Sequence, residues 1–280
     1  MRAIDGLEEI ADAFDAAVLD QWGVLHDGTA PYPQAGDALR ALRRANKRVV
    51  VLSNSGKRAD LNLARIAAMG LPTDGIEIVM TSGEALWRDL RDGRVEARRP
   101  FAVTGATADA ARWAEGLDLA LADRVEDADA LLLMGLADGA TLADHAALLE
   151  RALERRLLVL CSNPDRESPR ADGRTAVQPG TLAAEYERRG GTVRWYGKPH
   201  RPVFQAVETF TNVPPERHLM VGDSPEHDVA GAAASGWRTC FVRGGLHAAA
   251  LRDGTDEAVR RVSREHGAPS PDAHMGHLAW

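Results

Sequence analysis

The fold is decided near the start of the chain by residues 17–28, AVLDQWGVLHDG. An apolar run ends there on Asp20, and Gly23 follows three residues later. This pattern predicts a buried strand that delivers a carboxylate to its C-terminal end and then turns tightly. Because ligands of open α/β sheets bind at the carboxyl ends of the strands, Asp20 is the first candidate site residue.

The composition is that of a soluble globular protein. Of its 280 residues, 45% are hydrophobic and 27% are charged, and the formal net charge of -7 argues against nucleic acid and anionic membrane as partners. Two cysteines are too few for a disulfide framework and favour a reducing compartment. Residues 1–15 are acidic and amphipathic, unlike a signal peptide. No apolar run approaches the ~20 residues that span a bilayer, so we expect a cytoplasmic enzyme or binding protein.

Strand-like and helix-like segments alternate along the chain. Buried strands are predicted at residues 48–52 and 76–79, and helices at residues 35–46 and 58–69. This order predicts a parallel sheet joined by right-handed crossovers. A charged stretch, residues 88–99, then precedes a second α/β rhythm.

We therefore expect an α/β protein with two domains. Residues 1–96 and 193–280 would form a Rossmann-like three-layer core with a parallel sheet. Residues 97–192 would form an inserted α/β cap domain. The first rhythm resumes at residues 193–196, and the chain beyond about residue 265 is expected to be irregular.

Polar side chains follow four of the predicted strands. They are Asp20; Ser53, Asn54 and Ser55; Lys198; and Asp223 with Asp228. Taken alone, Asp20 is equally explained as a turn former or a helix cap, and Asp228 as a residue at a helix start. Two carboxylates at neighbouring strand ends, however, would repel each other unless a cation lies between them. Mg²⁺ suits such a site, because it takes a few carboxylates and retains waters.

These groups supply the components of phosphoryl transfer. A carboxylate such as Asp20 can attack phosphorus and form an aspartyl-phosphate. Ser53 offers a hydroxyl, Lys198 offers a full positive charge, and the backbone N–H groups of Asn54 and Ser55 are expected at a helix start. A nucleophile, a metal and an electrostatic clamp are what the reaction requires.

Four segments resemble the motifs of the haloacid dehalogenase (HAD) superfamily of aspartate-nucleophile hydrolases. They are DQWGVL at residues 20–25, LSNS at 52–55, GKP at 197–199 and VGDSPEHD at 221–228. Their order and spacing cover nearly the whole chain. They are most similar to subclass IIA, which has a large α/β cap of C2 type and includes NagD-like phosphatases and pyridoxal-phosphate phosphatases. The resemblance implies a Mg²⁺-dependent phosphatase that acts on a small phosphorylated metabolite.

The resemblance also implies a role for each site residue. Asp20 is the implied nucleophile, assisted by Ser53 and Lys198. The implied phosphate-binding set is Ser53, Asn54, Ser55 and Lys198. The implied metal set is Asp20, the backbone carbonyl of Trp22, Asp223 and Asp228. Asp228 would bind the metal indirectly or orient Lys198.

Trp22 departs from the pattern of the superfamily. Its phosphatases carry at this position an aspartate that protonates the leaving alcohol and then activates water. The indole N–H donates a hydrogen bond but does not titrate in this range. General acid–base help, typically worth ~10²–10⁴-fold, therefore cannot come from this side chain.

Three interpretations of Trp22 stay open. In the first, His26 or Asp27 substitutes as acid and base, since histidine titrates near neutral pH; His26 is equally explained as a solvated loop residue. In the second, the substrate has a good leaving group, such as an acyl phosphate, or the reaction cleaves a P–C or C–halogen bond. In the third, the protein binds a phosphorylated ligand with little or no catalysis.

Two further segments carry candidate residues. Residues 162–169, SNPDRESP, resemble the cap loop that contacts substrate in this subclass, and an ordinary Asn-Pro-Asp turn is the alternative. The candidate contacts are Asn163, Asp165, Arg166 and Ser168. The C-terminal segment contains His266, His274 and His277, a weak metal signal. We expect a mobile tail there, or docking of Trp280 on the core or on a second subunit, which leaves a homodimer open.

Overall fold

The computed structural model of this protein describes residues 1–169 and 175–280. Within these residues the strands are β1 (Arg2–Ala3), β2 (Ala16–Asp20), β3 (Arg48–Ser53), β4 (Ile76–Thr81), β5 (Phe101–Val103), β6 (Ala130–Leu133), β7 (Leu158–Cys161), β8 (Glu167–Pro169), β9 (Thr175–Val177), β10 (Val193–Trp195), β11 (His218–Gly222), β12 (Arg238–Val242) and β13 (Ala273–Met275). The α-helices are α1 (Ala35–Arg44), α2 (Ala59–Ala68), α3 (Ser82–Arg91), α4 (Thr107–Ala114), α5 (Ala146–Glu154), α6 (Pro179–Arg188), α7 (Arg201–Thr211), α8 (Gly231–Ala234) and α9 (Asp256–Glu265). A π-helical turn, Pro225–Ala230, leads into α8, and 3-10 turns cover Leu7–Ala13, Val125–Asp127, Ala143–His145, Pro215–Arg217 and Ala248–Leu251.

A seven-stranded sheet runs in the order β1-β13-β12-β11-β2-β3-β4. Its central pairings are parallel, and Val18 of β2 lies opposite Val50 of β3 and Met220 of β11. Parallel strands end at the same edge of a sheet. The edge that carries Asp20 therefore also carries Ser53, and it receives the chain as it leaves β11.

The middle strands of this sheet are buried on both faces. The runs Ala16–Leu19 of β2 and Val49–Leu52 of β3 are fully buried, and β11 is buried throughout. Such continuous apolar runs are typical of parallel strands covered by helices on both sides. The predicted α/β class with a parallel sheet is confirmed.

A second sheet has four parallel strands in the order β10-β7-β6-β5, beside the antiparallel hairpin of β8 and β9. Its core contains fully buried Tyr186, whose hydroxyl donates to the backbone oxygens of Ala152 (3.1 Å) and Leu157 (2.7 Å). The phenol therefore ties α6 to the segment between α5 and β7.

Internal contacts divide the chain into two units. The first unit comprises Met1–Ser53, Ala59–Met80 and Lys198–Trp280, and the second comprises Asn54–Arg58 and Thr81–Gly197. The sequence pattern assigned α3 and residues 193–196 to the core, but both lie in the second unit. There β10 pairs with β7, and Trp113 of α4 donates its indole N–H to the carbonyl of Gly83 in α3 at 2.9 Å. The predicted domain boundaries at 96/97 and 192/193 stay a prediction, because such a division groups residues by neighbours and not by independent folding.

The expectation of a mobile C-terminal tail is wrong. β13 lies between β1 and β12 in the large sheet, and the backbone N–H of Leu7 donates to the carbonyl of Ala279 at 3.0 Å. Trp280 packs, half-buried, against the core of the first unit, as one of the two docking alternatives proposed. A strand of three residues carries too short a pattern to be recognised in sequence. Among the described residues, no helix has both the length and the apolar character needed to cross a membrane.

Candidate active site

Asp20 and Lys198 form the centre of the candidate site in the first unit. Asp20 is the last residue of β2, and its Oδ1 lies 2.7 Å from the Nζ of Lys198. The same Nζ lies 2.7 Å from Oδ1 of Asp228, in the π-helical turn after β11. Lys198 is only 3% exposed, so its ammonium group depends on these two carboxylates in place of water.

Three aspartates converge at this point. Asp20, Asp223 and Asp228 each offer a carboxylate oxygen, and these oxygens lie within 4.8 Å of one another. Asp223 follows β11 directly, and its Oδ2 accepts the backbone N–H of Leu246 at 2.7 Å. Asp228 accepts the backbone N–H of Ser224 at 3.0 Å. The structure thus brings together the predicted metal-binding carboxylates.

Two glycines make room for this cluster. A Cβ at Gly23 would lie 1.8 Å from Oδ2 of Asp223, and a Cβ at Gly222 would lie 2.2 Å from Cγ of Asp228. Gly23 also has a φ of 81°, in the left-handed region that side chains disfavour. The turn after β2 therefore needs glycine for its conformation and for the approach of Asp223.

The electrostatics of the cluster favour a cation. Burial raises the pKa of Asp20 well above its usual range; Lys198 opposes this, while Asp228 and Asp223 add to it. Burial, then Asp228, raises the pKa of Asp223 to about 6. Burial alone would lower the pKa of Lys198, but attraction to Asp20 and Asp228 raises it. Three carboxylates face one ammonium, so the donor set fits a divalent cation, which prefers carboxylate oxygens.

The residues after β3 divide between the two units. Ser53 ends β3 one residue beyond Leu52, the strand partner of Asp20. Asn54 and Ser55 were expected at a helix start, but α2 begins only at Ala59, so they lie in a loop. Their predicted phosphate-binding role stays a prediction.

Asn54 contacts a predicted residue of the cap loop within the second unit. Its Nδ2 donates to Oδ1 of Asp165 at 2.8 Å. The backbone N–H of Asp165 donates to Oδ1 of Asn163 at 3.2 Å. Three residues predicted from two separate segments of the sequence are therefore hydrogen-bonded in series.

Gln178 extends this series. It accepts from Nδ2 of Asn163 at 3.3 Å and donates to Oγ of Ser168 at 2.9 Å, and its backbone N–H donates to the carbonyl of Arg166 at 2.9 Å. The side chain of Arg166 is exposed. Sequence analysis missed Gln178, whose only signal is its place just before Pro179 at the start of α6. Contact of these residues with substrate stays a prediction.

Trp22 lies in the loop after β2 with 46% of its surface exposed. Its indole packs on the backbone of Gly28, since a Cβ at Gly28 would lie 2.7 Å from the indole nitrogen. The ring thus closes the loop 22–28 upon itself and presents its other surface to solvent.

The two substitute acids have other partners. His26 is fully buried, which rules out the solvated-loop interpretation; its Nδ1 accepts the backbone N–H of Gly28 at 2.9 Å, and its Nε2 has no partner. Burial, then the charge of Arg65, lowers the pKa of His26 to about 4. Asp27 is exposed, and the backbone N–H groups of Ala30 and Thr29, each 2.8 Å away, lower its pKa. At neutral pH His26 is uncharged and Asp27 ionised, so neither is poised as an acid there.

Comparison with known proteins places this site in a family. Residues 17–116 match a family model described as haloacid dehalogenase-like hydrolase, and residues 195–264 match one described as HAD-hydrolase-like. A solved hydrolase of the haloacid dehalogenase-like family from Brucella suis 1330 is 30% identical, with a TM-score of 0.79 over 98% of this chain and 99% of that chain. This chain belongs to the haloacid dehalogenase-like hydrolases.

Two relatives of known name narrow the family further. Mouse chronophin is 28% identical over 247 residues, which are 86% of this chain and 84% of that protein. Human glycerol-3-phosphate phosphatase is 26% identical over 259 residues, which are 83% of this chain and 79% of that protein. Both belong to the NagD-like subclass IIA, so the superfamily and subclass predicted from the motifs are confirmed. The hydrolase reaction expected from them is confirmed at the level of the family.

Proposed function

We propose that this hydrolase is a Mg²⁺-dependent phosphatase that cleaves a small phosphorylated metabolite through an aspartyl-phosphate on Asp20. The observation that carries the proposal is the contact of Asp20 with Lys198 inside a cluster with Asp223 and Asp228. Among the relatives, human glycerol-3-phosphate phosphatase acts on a phosphate monoester, as its name states. The reaction type is therefore supported by both the site and the family.

Asp20 is the proposed nucleophile. One oxygen of its carboxylate forms a bond to phosphorus while the bond from phosphorus to the leaving oxygen breaks, and the leaving group departs with that electron pair. Water then attacks the phosphorus of the aspartyl-phosphate, releases inorganic phosphate and restores the carboxylate. The strand end holds this side chain in place, so little ordering is needed at the moment of attack.

Lys198 and Ser53 are the proposed phosphate-binding groups of the first unit. The buried ammonium of Lys198 stabilises the charge that develops on the phosphoryl oxygens, in a region from which water is largely excluded. Asp228 holds that ammonium in place at 2.7 Å and so acts as a positioning residue. The hydroxyl of Ser53, at the neighbouring strand end, is proposed as a further donor.

Asp20, Asp223 and the backbone carbonyl of Trp22 are the groups proposed to hold Mg²⁺, with Asp228 as an indirect ligand. When bound, the ion supplies positive charge that neutralises phosphoryl oxygens and lets the carboxylates remain ionised. Without it, the raised pKa of Asp20 works against its role as a nucleophile, because only the carboxylate attacks.

Trp22 favours one alternative within the same family. A side chain without a proton to give suits a substrate whose leaving group needs none, such as an acyl phosphate, or cleavage of a P–C or C–halogen bond. The third possibility, a protein that binds a phosphorylated ligand with little catalysis, leaves the same contacts intact. These alternatives differ in what the protein turns over.

The decisive experiment is phosphate release with Mg²⁺ across sugar phosphates, nucleotides, pyridoxal phosphate and acetyl phosphate. We expect turnover of at least one of them, at least 10³-fold lower in Asp20→Asn, since that change removes the nucleophile. Asp123→Asn, which changes an exposed aspartate of the second unit, is the matched control and keeps the activity. Saturable binding without turnover of any compound would sink the enzyme proposal.

A further inference from the structure

Two large apolar side chains stand out because they are exposed. Within residues 1–169 and 175–280 these are Trp22, at 46% exposure, and Leu246, at 60%. A single exposed apolar side chain is ordinary on a protein surface. Two on different loops that meet at one functional carboxylate are not explained by that background.

Both side chains adjoin the same oxygen of Asp223. Gly23, next to Trp22, is so close that a Cβ there would lie 1.8 Å from Oδ2 of Asp223. Leu246 donates its backbone N–H to that Oδ2 at 2.7 Å, and a Cβ on the preceding Gly245 would lie 2.2 Å from it. The loops after β2 and after β12 therefore meet at Asp223, and each presents an apolar side chain beside the proposed metal site.

The loop after β2 offers no positioned acid to a departing oxygen. The indole of Trp22 carries no titrating proton. The ring of His26 is fully buried and accepts a hydrogen bond from Gly28, and the carboxylate of Asp27 accepts two backbone N–H groups of its own turn. A leaving group at this site must therefore depart as an anion that is stable without protonation.

We propose that Trp22 and Leu246 form the contact surface for an aromatic leaving group, and that the substrates are aryl phosphate monoesters. A phenol-type oxygen leaves as a stabilised anion, and its ring matches a planar indole and an aliphatic side chain. An alkoxide would leave poorly without an acid and would place no ring on this surface. The inference rests on the proposed phosphatase function and names its substrate class.

The reaction balances with the groups named. An oxygen of Asp20 bonds to phosphorus, the bond from phosphorus to the aryl oxygen breaks, and its electron pair leaves on the aryl oxide. The aryl oxide takes a proton from water after release. Hydrolysis of the aspartyl-phosphate consumes one water and yields inorganic phosphate, so no oxidant, reductant or further reactant is involved.

The test measures kcat/KM of the full chain with Mg²⁺ for aryl phosphates of graded leaving-group pKa, for glycerol phosphate and for acetyl phosphate. We expect a steep decline in log kcat/KM as the leaving-group pKa rises, and a preference for aryl phosphates over glycerol phosphate of at least 100-fold. Trp22→Asp supplies an acid and should flatten the dependence while it raises turnover of glycerol phosphate.

The apolar contact is tested separately. Leu246→Ala keeps the backbone N–H that Asp223 accepts, and it should lower the ratio of kcat/KM for aryl phosphates to that for acetyl phosphate by about tenfold. Leu246→Met restores apolar surface and should recover most of that ratio. Trp22→Phe should likewise retain more of it than Trp22→Ala.

The outcomes separate the two proposals. Equal kcat/KM for aryl and alkyl phosphates, or an aryl-to-acetyl ratio that Leu246→Ala leaves unchanged, overturns the aryl proposal while the phosphatase function stands. Absence of turnover with every phosphate compound overturns both.

Discussion

The ammonium group of Lys198 lies 2.7 Å from a carboxylate oxygen of Asp20, and both side chains are largely shielded from water. A buried lysine depends on its partners, because desolvation alone would favour its neutral form. Here Asp20 and Asp228 together keep it charged. The same contact holds the proposed nucleophile and the proposed phosphate clamp side by side before any substrate arrives.

Loss of this ammonium should harm both stability and activity. We expect Lys198→Met to lower the free energy of unfolding by about 3–5 kcal/mol in metal-free buffer, since it leaves buried carboxylates without a partner. Phosphatase activity should fall at least 10³-fold, as expected when a donor to the transition state is lost. Denaturant unfolding and a phosphate-release assay measure the two effects.

The matched control for that change is Lys57→Met, which alters an exposed lysine in the loop before α2. It should change the free energy of unfolding by less than about 0.5 kcal/mol, as exposed substitutions usually do. Equal effects of the two variants would show that the contact between Lys198 and Asp20 has no special weight.

Removal of divalent metal should abolish activity and reveal the ion's share in stability. We expect Mg²⁺ at 100 times its Kd to raise the free energy of unfolding by about 2.7 kcal/mol in the native sequence. Asp223→Asn removes one carboxylate from the cluster and should remove most of this gain. Thermal unfolding with EDTA and with Mg²⁺ measures it, and a gain that persists in Asp223→Asn would place the ion elsewhere.

Much of the site was predictable because its residues follow buried strands. Asp20 and Asp223 each end an apolar run, and strands with that pattern bring their carboxyl ends to one edge of a parallel sheet. Lys198 could be predicted from its motif but not from periodicity, because it lies in a loop before α7. The local chain thus encodes where the carboxylates lie, while the contact of Lys198 with Asp228 depends on tertiary packing.

Other features depended on packing that no local pattern records. His26 looks solvated in sequence, since it precedes a polar turn, yet the ring is fully buried. The strand β13 has three residues, too few for a periodicity to show. Gln178 stands at the centre of a hydrogen-bond series that forms only when two distant segments meet.

Acid should destabilise the first unit through His218. Burial lowers the pKa of His218; its Nδ1 lies 3.1 Å from the carbonyl of Pro214, its Nε2 lies 2.8 Å from Oγ1 of Thr211, and its ring stacks on Trp237 at 4.4 Å. The unfolded chain, with the ordinary pKa near 6.5, binds the proton first as pH falls. The free energy of unfolding should therefore be highest above pH 6.5 and decline below it.

The contribution of His218 is isolated by comparison with His218→Gln, which cannot take up a proton. The variant should be less stable at pH 7.5 but should show a shallower decline between pH 7 and pH 5. Denaturant unfolding at a series of pH values gives both slopes, and identical slopes would assign the acid sensitivity to other groups.

A methyl group at Gly23 should separate strain from function. Gly23 and Gly70 both have left-handed backbone, with φ of 81° and 83°, so alanine at either position should cost about 1–2 kcal/mol of unfolding free energy. Nothing lies within 4 Å of a Cβ at Gly70, whereas a Cβ at Gly23 would displace the carboxylate of Asp223. We therefore expect Gly70→Ala to keep its activity and Mg²⁺ affinity, and Gly23→Ala to lose at least tenfold in each. If the two variants lost stability and activity alike, the close approach of Gly23 to Asp223 would have no bearing on the metal site, and the strained turn alone would account for the glycine.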